Sequence, residues 1–332
     1  MNKTGKLLLL MMMIVLIGIA YSLPEFRTFN SSYFTANCGT TRVICKLDRE
    51  GFPVCFVQIP CVKTEGWDTM AQIKFWRRIM RLAPDSGLVN AASSRTIMGT
   101  IRMKEYLQLN AEKRDSFKQI WAEKHGLPAH DRVYITSGKN WFYNPKNIAP
   151  KIKRAIELFD SMGVDPFFAQ AVLLIESPVG NLKSESGAYG QFQLMKSVAR
   201  QFGLKVDAHI DEREDFEKSA VAASRLFNEI CIPYAAKMLE EAGYPYHTQS
   251  LWFRLLVMHI YHAGAANVKN ALKLMPDVAS GRDFIRSLWT IESGSFRNAA
   301  QNYSQLVLAS YLEFNHYMMN YGMDYRFVST DK

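Results

Sequence analysis

Cysteine is scarce in this chain of 332 residues, and its spacing limits what the protein can be. None of the five cysteines closely follows the apolar stretch from Leu7 to Ala20, and the first of them is Cys38. This spacing excludes a lipoprotein, whose lipid-bearing cysteine comes directly after the apolar core. No two cysteines form a Cys-x-x-Cys pair, so a zinc site is only the alternative to disulfide bonds. The sequence also has no internal repeat and no low-complexity tract.

The N-terminus has the pattern of an export signal. Lys3 and Lys6 precede the apolar stretch, and the run Ala20-Tyr-Ser22 supplies the small residues that signal peptidase needs. We therefore expect a signal peptide over residues 1–22 and an exported protein of the periplasm or cell envelope. Because the stretch is short for a spanning helix, an uncleaved inner-membrane anchor over residues 7–21 is the alternative.

Four of the cysteines cluster within residues 23–62, a segment that also contains glycine and proline. In an exported chain such a cluster favours two disulfide bonds, for which three pairings are possible. The candidates are Cys38, Cys45, Cys55 and Cys61. The remaining cysteine, Cys231, is expected to be a small buried apolar residue.

The formal net charge of +9 favours acidic partners. Nucleic acid, anionic lipid and the anionic polymers of a cell wall are the candidates, and the export signal argues against nucleic acid. A membrane is a partner only if the N-terminal apolar segment is not cleaved.

Helical patterns dominate the rest of the chain. Residues 63–149 form a basic region with helical segments, and residues 150–325 show helical apolar spacing without long alternating strand patterns. The sequence thus predicts a mainly α protein. A disulfide-rich segment and a basic helical N-terminal region precede one helical domain over residues 150–325.

Glu176 is the most informative residue of that domain. It ends an apolar helical run that begins at Pro166, and Pro178 prevents the helix from continuing. The negative end of the helix dipole and the apolar neighbours Leu173 to Ile175 both disfavour a carboxylate and should raise its pKa. A carboxylic acid that stays protonated near neutral pH can protonate a glycosidic oxygen.

Four motifs in order resemble the soluble-lytic-transglycosylase (SLT) family. The resemblance covers about half of the chain and does not extend to residues 23–149. Its motifs are Glu176-Ser177 with the loop Ser184-Glu-Ser-Gly-Ala-Tyr-Gly-Gln-Phe-Gln-Leu-Met195, the run Ile210-Asp-Glu-Arg-Glu-Asp215, the run Ile260-Tyr-His-Ala-Gly264, and the run Asn302-Tyr-Ser-Gln-Leu-Val-Leu-Ala309.

The resemblance implies a lysozyme-like fold and a set of site residues. Glu176 would be the catalytic acid, and Tyr303 would bond its carboxyl and hold its rotamer. The substrate-binding and supporting residues would be Ser177, Gly187, Ala188, Gln193, Tyr261 and His262. The chain departs from the family pattern at His262, where the family has Asn, and at Lys196 and Val198, where Pro and Thr are usual.

The activity that the resemblance implies is lytic cleavage of peptidoglycan strands. The β-1,4 bond between N-acetylmuramic acid and N-acetylglucosamine would break, and a 1,6-anhydromuramoyl end would form. No metal or cofactor is expected. His259 and His262 have a helical spacing that could suggest a metal, but no third ligand is apparent. Residues 23–149 could position the domain against the wall or against envelope or secretion machinery.

Two other functions remain open. A lysozyme-like muramidase would need a second carboxylate, for which Glu185, Asp207 and the acidic run from Asp211 to Asp215 are candidates. A catalytically silent peptidoglycan-binding protein of envelope assembly would keep the groove and lose the chemistry, and His262 is the feature that favours it.

Overall fold

The computed structural model describes residues 41–47, 53–143, 145–176 and 183–320. All of them belong to one compact unit. Three predicted features lie outside these ranges, namely the signal peptide over residues 1–22, Cys38 and Ser177.

A disulfide-linked hairpin opens the described chain. Strands β1 (Arg42–Leu47) and β2 (Pro53–Gln58) pair antiparallel, and the register places Cys45 directly opposite Cys55. These two cysteines form a disulfide bond, so a disulfide in the N-terminal segment is confirmed. A pairing that involves Cys38 stays a prediction, and Cys61 is buried at the start of the next helix.

Residues 63–149 are not purely helical as predicted, because they also contain a three-stranded antiparallel sheet. Strand β3 (Ser86–Ala91) lies between β4 (Ile97–Arg102) and β5 (Val133–Ser137). Each of β3 and β4 contains a glycine, which weakens the strand signal in the sequence. Gly99 is required by packing, since a Cβ there would lie 2.4 Å from the Trp121 ring.

Helices make up most of the remaining structure, and we number them in chain order. In the N-terminal part they are α1 (Cys61–Thr64), α2 (Ala71–Arg81), α3 (Met103–Leu107) and α4 (Ala111–Lys124). The following ones are α5 (Pro145–Ser161), α6 (Pro166–Glu176), α7 (Lys196–Gln201), α8 (Phe216–Leu226) and α9 (Ile232–Glu241). The last four are α10 (Leu251–Ala263), α11 (Ala265–Leu272), α12 (Arg282–Leu288) and α13 (Asn298–Asn320). The mainly helical fold class is therefore confirmed.

The long helix α13 connects the two parts of the described chain. It packs against α6 and α10 on one side and against α2 of the N-terminal part on the other. Helix α6 is apolar on every face apart from Gln170, and every residue from Pro166 to Ile175 is buried. A helix that is hydrophobic on every face belongs in the core, and this one places its last residue, Glu176, at the edge of that core.

The hairpin is tied to the same core helix through Gln170. This buried side chain accepts a hydrogen bond from the Val57 backbone amide at 2.7 Å and donates to the Val57 carbonyl at 3.1 Å. Both polar groups of Val57 are thereby satisfied inside the core. The N-terminal segment thus helps to hold the helix that carries Glu176.

Within the described ranges, no helix combines the length and the hydropathy needed to cross a membrane.

Candidate active site

Helix α6 ends at Glu176, and this residue is half-buried. The helix begins at Pro166, and Asp165 caps its first turn by accepting the Phe167 amide at 2.9 Å. The carboxyl of Glu176 then follows the buried Leu174 and Ile175. Burial raises the pKa of Glu176 from 4.5 to about 6. A substantial fraction of this side chain is consequently protonated in weakly acidic solution.

Tyr303 holds the carboxyl in place from α13. Its buried hydroxyl donates a hydrogen bond of 2.8 Å to Glu176 Oε1. This bond stabilises the carboxylate form and opposes part of the rise in the Glu176 pKa. Residues 127 positions apart in the sequence therefore form one acid unit.

His262 covers Tyr303 on the solvent side. The two rings stack with their centroids 4.2 Å apart and their planes 17° from parallel. Although the residue is solvent-exposed, the neighbouring groups desolvate its ring and lower its pKa, so the ring is neutral at pH 7. At this position the imidazole offers one donor and one acceptor beside the acid.

The glycine loop has a backbone that other residues would not adopt. Gly187 and Gly190 both have positive φ, and a Cβ on Gly190 would lie only 2.0 Å from the Arg213 carbonyl oxygen. Ala188 follows Gly187, and its amide donates to Ser184 Oγ at 2.9 Å. Gln193 also has a left-handed φ of 47°, which is uncommon for a residue with a side chain. Its Nε2 donates to the Gly190 carbonyl at 2.9 Å, so part of this amide stabilises the loop itself.

Arg213 is the internal support of this loop. The guanidinium is buried and forms a two-pronged ion pair with Asp211, with Nε–Oδ1 and Nη2–Oδ2 distances of 2.8 and 2.7 Å. Its Nη1 donates to the carbonyl oxygens of Gly187 and Leu194, each at 2.9 Å. The planar guanidinium suits this arrangement because it presents five donors in a fixed geometry. Asp211 of the acidic run thus holds Arg213 in place, and Arg213 fixes the conformation of the loop.

Tyr261 connects the loop to the acid. Its hydroxyl donates to the Phe192 carbonyl at 2.5 Å, immediately before Gln193. Burial and the charge of Glu176 both raise the pKa of Tyr261, which places this hydroxyl near the acid. Its ring stacks on Phe227, at the first position of a π-helical turn (Phe227–Cys231). Such turns often occur where a side chain has to be re-aimed at a functional site.

Tyr143 is a residue of this site that the sequence reasoning missed. It is half-buried, and burial together with the charge of Glu176 raises the pKa of its hydroxyl. It lies just before α5, in the run Trp141-Phe-Tyr143 outside every motif of the resemblance. The aromatic run was the available signal, although its position gave no reason to place it beside the acid. Tyr303 bonds directly to Glu176, whereas Tyr143 and Tyr261 interact with it through its charge.

Most of the candidate second carboxylates serve the structure elsewhere. Asp207 accepts the amides of His209 and Ile210, and Asp215 caps α8 by accepting the Lys218 amide. Of the others in the acidic run, Asp211 pairs with Arg213, Glu212 binds Lys218, and Glu214 accepts from Tyr189. Glu185 is exposed on the loop. Within the described residues, no carboxylate contributes to the pKa shift of Glu176.

The two histidines of α10 do not point to a shared metal ion. His259 is fully buried, and its Nε2 lies 2.8 Å from Ser304 Oγ, which also accepts from the Trp289 indole at 2.7 Å. His262 is instead exposed and stacks on Tyr303. Across the part of the chain that the structure describes, no three His, Cys, Asp or Glu side chains are grouped to hold a metal.

Replacing Tyr303 by Phe should shift the pH profile of the site. The carboxylate of Glu176 would lose its 2.8 Å donor, so its pKa should rise further above 6. A general acid is active in its protonated form, so the alkaline limb of kcat/KM should move to higher pH. The rate should fall about tenfold because the rotamer is no longer held.

The pH dependence of kcat/KM on solubilised glycan measures this shift. Tyr246→Phe is the matched control, because Tyr246 also donates to a carboxylate, that of Glu240 at 2.7 Å, on an exposed part of the protein. An unchanged alkaline limb in Tyr303→Phe would contradict the role assigned to its hydroxyl.

Comparison with known families places this geometry in context. Residues 155–280 match the family model described as the transglycosylase SLT domain. The match includes Glu176, the glycine loop, Arg213, Tyr261 and His262, whereas Tyr303 lies beyond it. A search of curated proteins found no match to the chain. The matched residues thus form an SLT domain, as the resemblance implied, and this supports a peptidoglycan-acting function of the lytic-transglycosylase type.

Proposed function

We propose that this protein, which carries an SLT domain over residues 155–280, is a peptidoglycan lytic transglycosylase. It cleaves the β-1,4 bond between N-acetylmuramic acid and N-acetylglucosamine and leaves a 1,6-anhydromuramoyl end. The observation that carries this proposal is a solitary buried acid. Glu176 has a pKa of about 6 and a hydrogen bond from Tyr303, without a neighbouring carboxylate among the described residues.

One carboxyl group can perform both proton transfers of this reaction. Protonated Glu176 donates its proton to the glycosidic oxygen, and the C1–O bond breaks. The resulting carboxylate is stabilised by the Tyr303 hydroxyl. It then takes the proton of the muramoyl C6 hydroxyl as that oxygen bonds to C1, which regenerates the acid. The N-acetyl group of the substrate can stabilise the positive charge that develops at C1.

The loop and the tyrosines support this chemistry by position and by polarity. Gly187 lets a saccharide approach the backbone closely, because no side chain projects from it and a Cβ there would meet nothing within 4 Å. The hydroxyls of Tyr143 and Tyr261 lie near Glu176, and both remain protonated across the working pH because their pKa values are raised. Because both tyrosines stay neutral, Glu176 is the group among these three that changes its charge.

A hydrolase is the competing outcome, and the engaged carboxylates argue against it. Hydrolysis with inversion or retention normally uses a second carboxylate about 5 to 10 Å from the acid. Asp207 and the acidic run from Asp211 to Asp215 are committed to capping or ion pairs. Glu185 alone of the earlier candidates has no such commitment within the described residues.

The products of peptidoglycan digestion test the proposal directly. We expect mass spectrometry of the released muropeptides to show 1,6-anhydromuramic acid ends. A product lacking the elements of water, 18 Da lighter than the hydrolysis product, identifies each such end. Reducing ends as the main product would replace the proposal by a muramidase, and intact strands would replace it by a binding protein.

We further propose that the protein acts outside the cytoplasm, in the periplasm or at the inner membrane. The N-terminal pattern over residues 1–22 supports export, and the Cys45–Cys55 disulfide suits an oxidising compartment. Residues 23–149 remain the candidate for contact with envelope or secretion machinery.

A further inference from the structure

A cleft lies between the three-stranded sheet and the C-terminal helices. Its volume is about 820 Å³, which is in the range of ligand-binding sites. One wall comes from the β3–β4 turn and from β5, and the other from α13 and the segment after α12. All of the lining lies outside the SLT match, and Asn302 and Gln305 are its members that belong to a motif of the resemblance.

Cationic side chains outnumber available anions along this cleft. Arg95, Lys118, Arg132 and Lys139 all line it. The nearby carboxylate of Asp131 is already occupied, since it accepts the amides of Ser93 and Arg132 and the Ser93 hydroxyl. The lining also contains Glu292, and Lys118 lies 3.6 Å from Asp115. With four cationic and two anionic side chains, the lining carries a net positive charge.

Arg95 is the focus of this charge. Its backbone is left-handed, with φ of 58°, and its guanidinium lies 5.4, 5.9 and 5.7 Å from the ring centroids of Phe75, Trp76 and Tyr134. Within the described residues this half-buried guanidinium has no hydrogen-bond or ion-pair partner. Burial also lowers its pKa. A desolvated arginine fixed among aromatic rings is a strong binder of carboxylates, because its donors are preorganised and poorly hydrated.

The opposite wall is a row of amide side chains on α13. Asn298, Gln301, Asn302 and Gln305 recur at helical spacing and line the cleft. Three of these amides donate within the protein, Gln301 to the Ile291 carbonyl, Asn302 to Asn298 Oδ1 and Gln305 to the Gln301 carbonyl. Within the described residues, Asn298 Nδ2 and Gln301 Oε1 keep a donor and an acceptor for the groups of a peptide backbone. The Trp76 indole donates to Gln305 Oε1 at 3.1 Å, which joins this row to the aromatic group around Arg95.

Two residues that line the cleft are close in sequence to residues of the active site. Asn302 immediately precedes Tyr303, which holds Glu176. Across the cleft, the carbonyl of Lys139 accepts the amide of Tyr143 at 3.2 Å, and Tyr143 lies near Glu176. A substrate bound at the acid could thus extend into the cleft.

We propose that this cleft binds the anionic stem peptides of peptidoglycan, with a stem-peptide carboxylate on Arg95 and the peptide backbone along the α13 amides. This inference rests on the proposed function. In an intact strand the lactyl carboxyl of each muramic acid is consumed in the amide bond to its peptide. The free carboxylates of the polymer therefore belong to the stem peptides, and a cationic site beside the acid selects strands that carry them.

Binding to strands with and without stem peptides tests this proposal. The Glu176→Gln protein prevents turnover, and the probes are solubilised peptidoglycan strands before and after an amidase has removed the peptides. The amidase frees one lactyl carboxylate on each muramic acid, so the bare strands stay anionic and a preference reports the stem peptide rather than charge alone. We expect about tenfold tighter binding of the peptide-bearing strands, from charge-assisted hydrogen bonds. Adding Arg95→Gln should abolish this preference, and raising the salt concentration should weaken it.

Two further variants keep the result interpretable. Arg132→Gln removes an exposed cation of the same cleft, so it should reduce the preference even if Arg95→Gln perturbs folding. Lys273→Gln removes an exposed cation after α11, away from the cleft lining, and should leave the preference intact. Equal binding of both kinds of strand, or a preference that survives both arginine substitutions, overturns the proposal.

The failure of this inference is distinguishable from failure of the proposed function. Cleavage of both kinds of strand with equal kcat/KM would leave the transglycosylase standing and remove the stem-peptide site. Binding of the released stem peptides to the cleft, without cleavage of any strand by the unmodified protein, would retain the cleft and remove the transglycosylase.

Discussion

Glu176→Gln should lower the rate of glycan cleavage by about a thousandfold, because glutamine cannot supply the proton that the leaving oxygen needs. The substitution keeps the size and shape of the side chain and can still accept the Tyr303 hydrogen bond. The binding of strands should therefore change little while kcat falls. Release of soluble muropeptides from purified peptidoglycan measures the rate, and retention of more than a tenth of it would remove Glu176 from its role.

Glu185→Gln is the matched control for this loss. Glu185 lies on the glycine loop, is exposed, and is the candidate second carboxylate that no structural contact occupies within the described residues. A transglycosylase that uses Glu176 alone should tolerate the substitution. A loss as large as that of Glu176→Gln would instead indicate a two-carboxylate hydrolase.

The stability of Glu176→Gln provides a check on its folding and on the pKa itself. The folded pKa of about 6 lies above the ordinary value of 4.5. The contribution of this carboxyl to wild-type stability is therefore fully present below pH 4.5 and is lost as the pH rises through about 6. Glutamine does not titrate, so the variant should gain about 1 to 2 kcal/mol over the wild type between pH 4 and pH 8. Thermal unfolding at the two pH values measures this difference.

Local sequence signals were sufficient for the helical core of the site. The run from Pro166 to Ile175 is apolar except at Gln170, and Pro178 follows it closely, so both the buried helix and the acid at its tip could be predicted. The bond from Tyr303 to Glu176 was expected from the resemblance, and the structure contains it at 2.8 Å.

Features that depend on contacts between residues far apart in the sequence could not be predicted from local signals. Arg213 supports the loop through hydrogen bonds to Gly187 and Leu194, which only the folded chain brings together. The β3–β5 sheet escaped prediction because glycines such as Gly99 are placed there for the packing of Trp121 rather than for strand propensity. Tyr143 reaches the acid from a segment without a motif. Each of these cases is a tertiary constraint that a local pattern does not record.

For the cysteine cluster, composition predicts that disulfide bonds form, whereas the register of the strands decides which cysteines pair. Composition alone favours disulfide bonds in the N-terminal segment. The choice of Cys45 with Cys55 follows from the antiparallel register, which sets these two residues opposite each other. A register shifted by one residue would have directed the two side chains to opposite faces.

Gly190→Ala should disable the glycine loop and with it the activity. The added Cβ would lie 2.0 Å from the Arg213 carbonyl oxygen, in a backbone with φ of 80°. Because that neighbour is backbone, the loop or the Arg213 segment has to move, at a cost of about 3 kcal/mol. Arg213 could not then keep its bonds to both Gly187 and Leu194, and the loop that Tyr261 links to the site of Glu176 would lose its shape.

Gly203→Ala is the control that separates this clash from the ordinary cost of a left-handed alanine. Gly203 also has a positive φ, of 92°, but a Cβ there would meet nothing within 4 Å. That variant should lose about 1 kcal/mol of stability and keep its activity at a temperature where it is folded. Chemical denaturation and cleavage assays of the two variants, measured side by side, supply the comparison. Equal losses in both would mean that the loop yields to the new methyl group and that its contact with Arg213 does not set the geometry of the site.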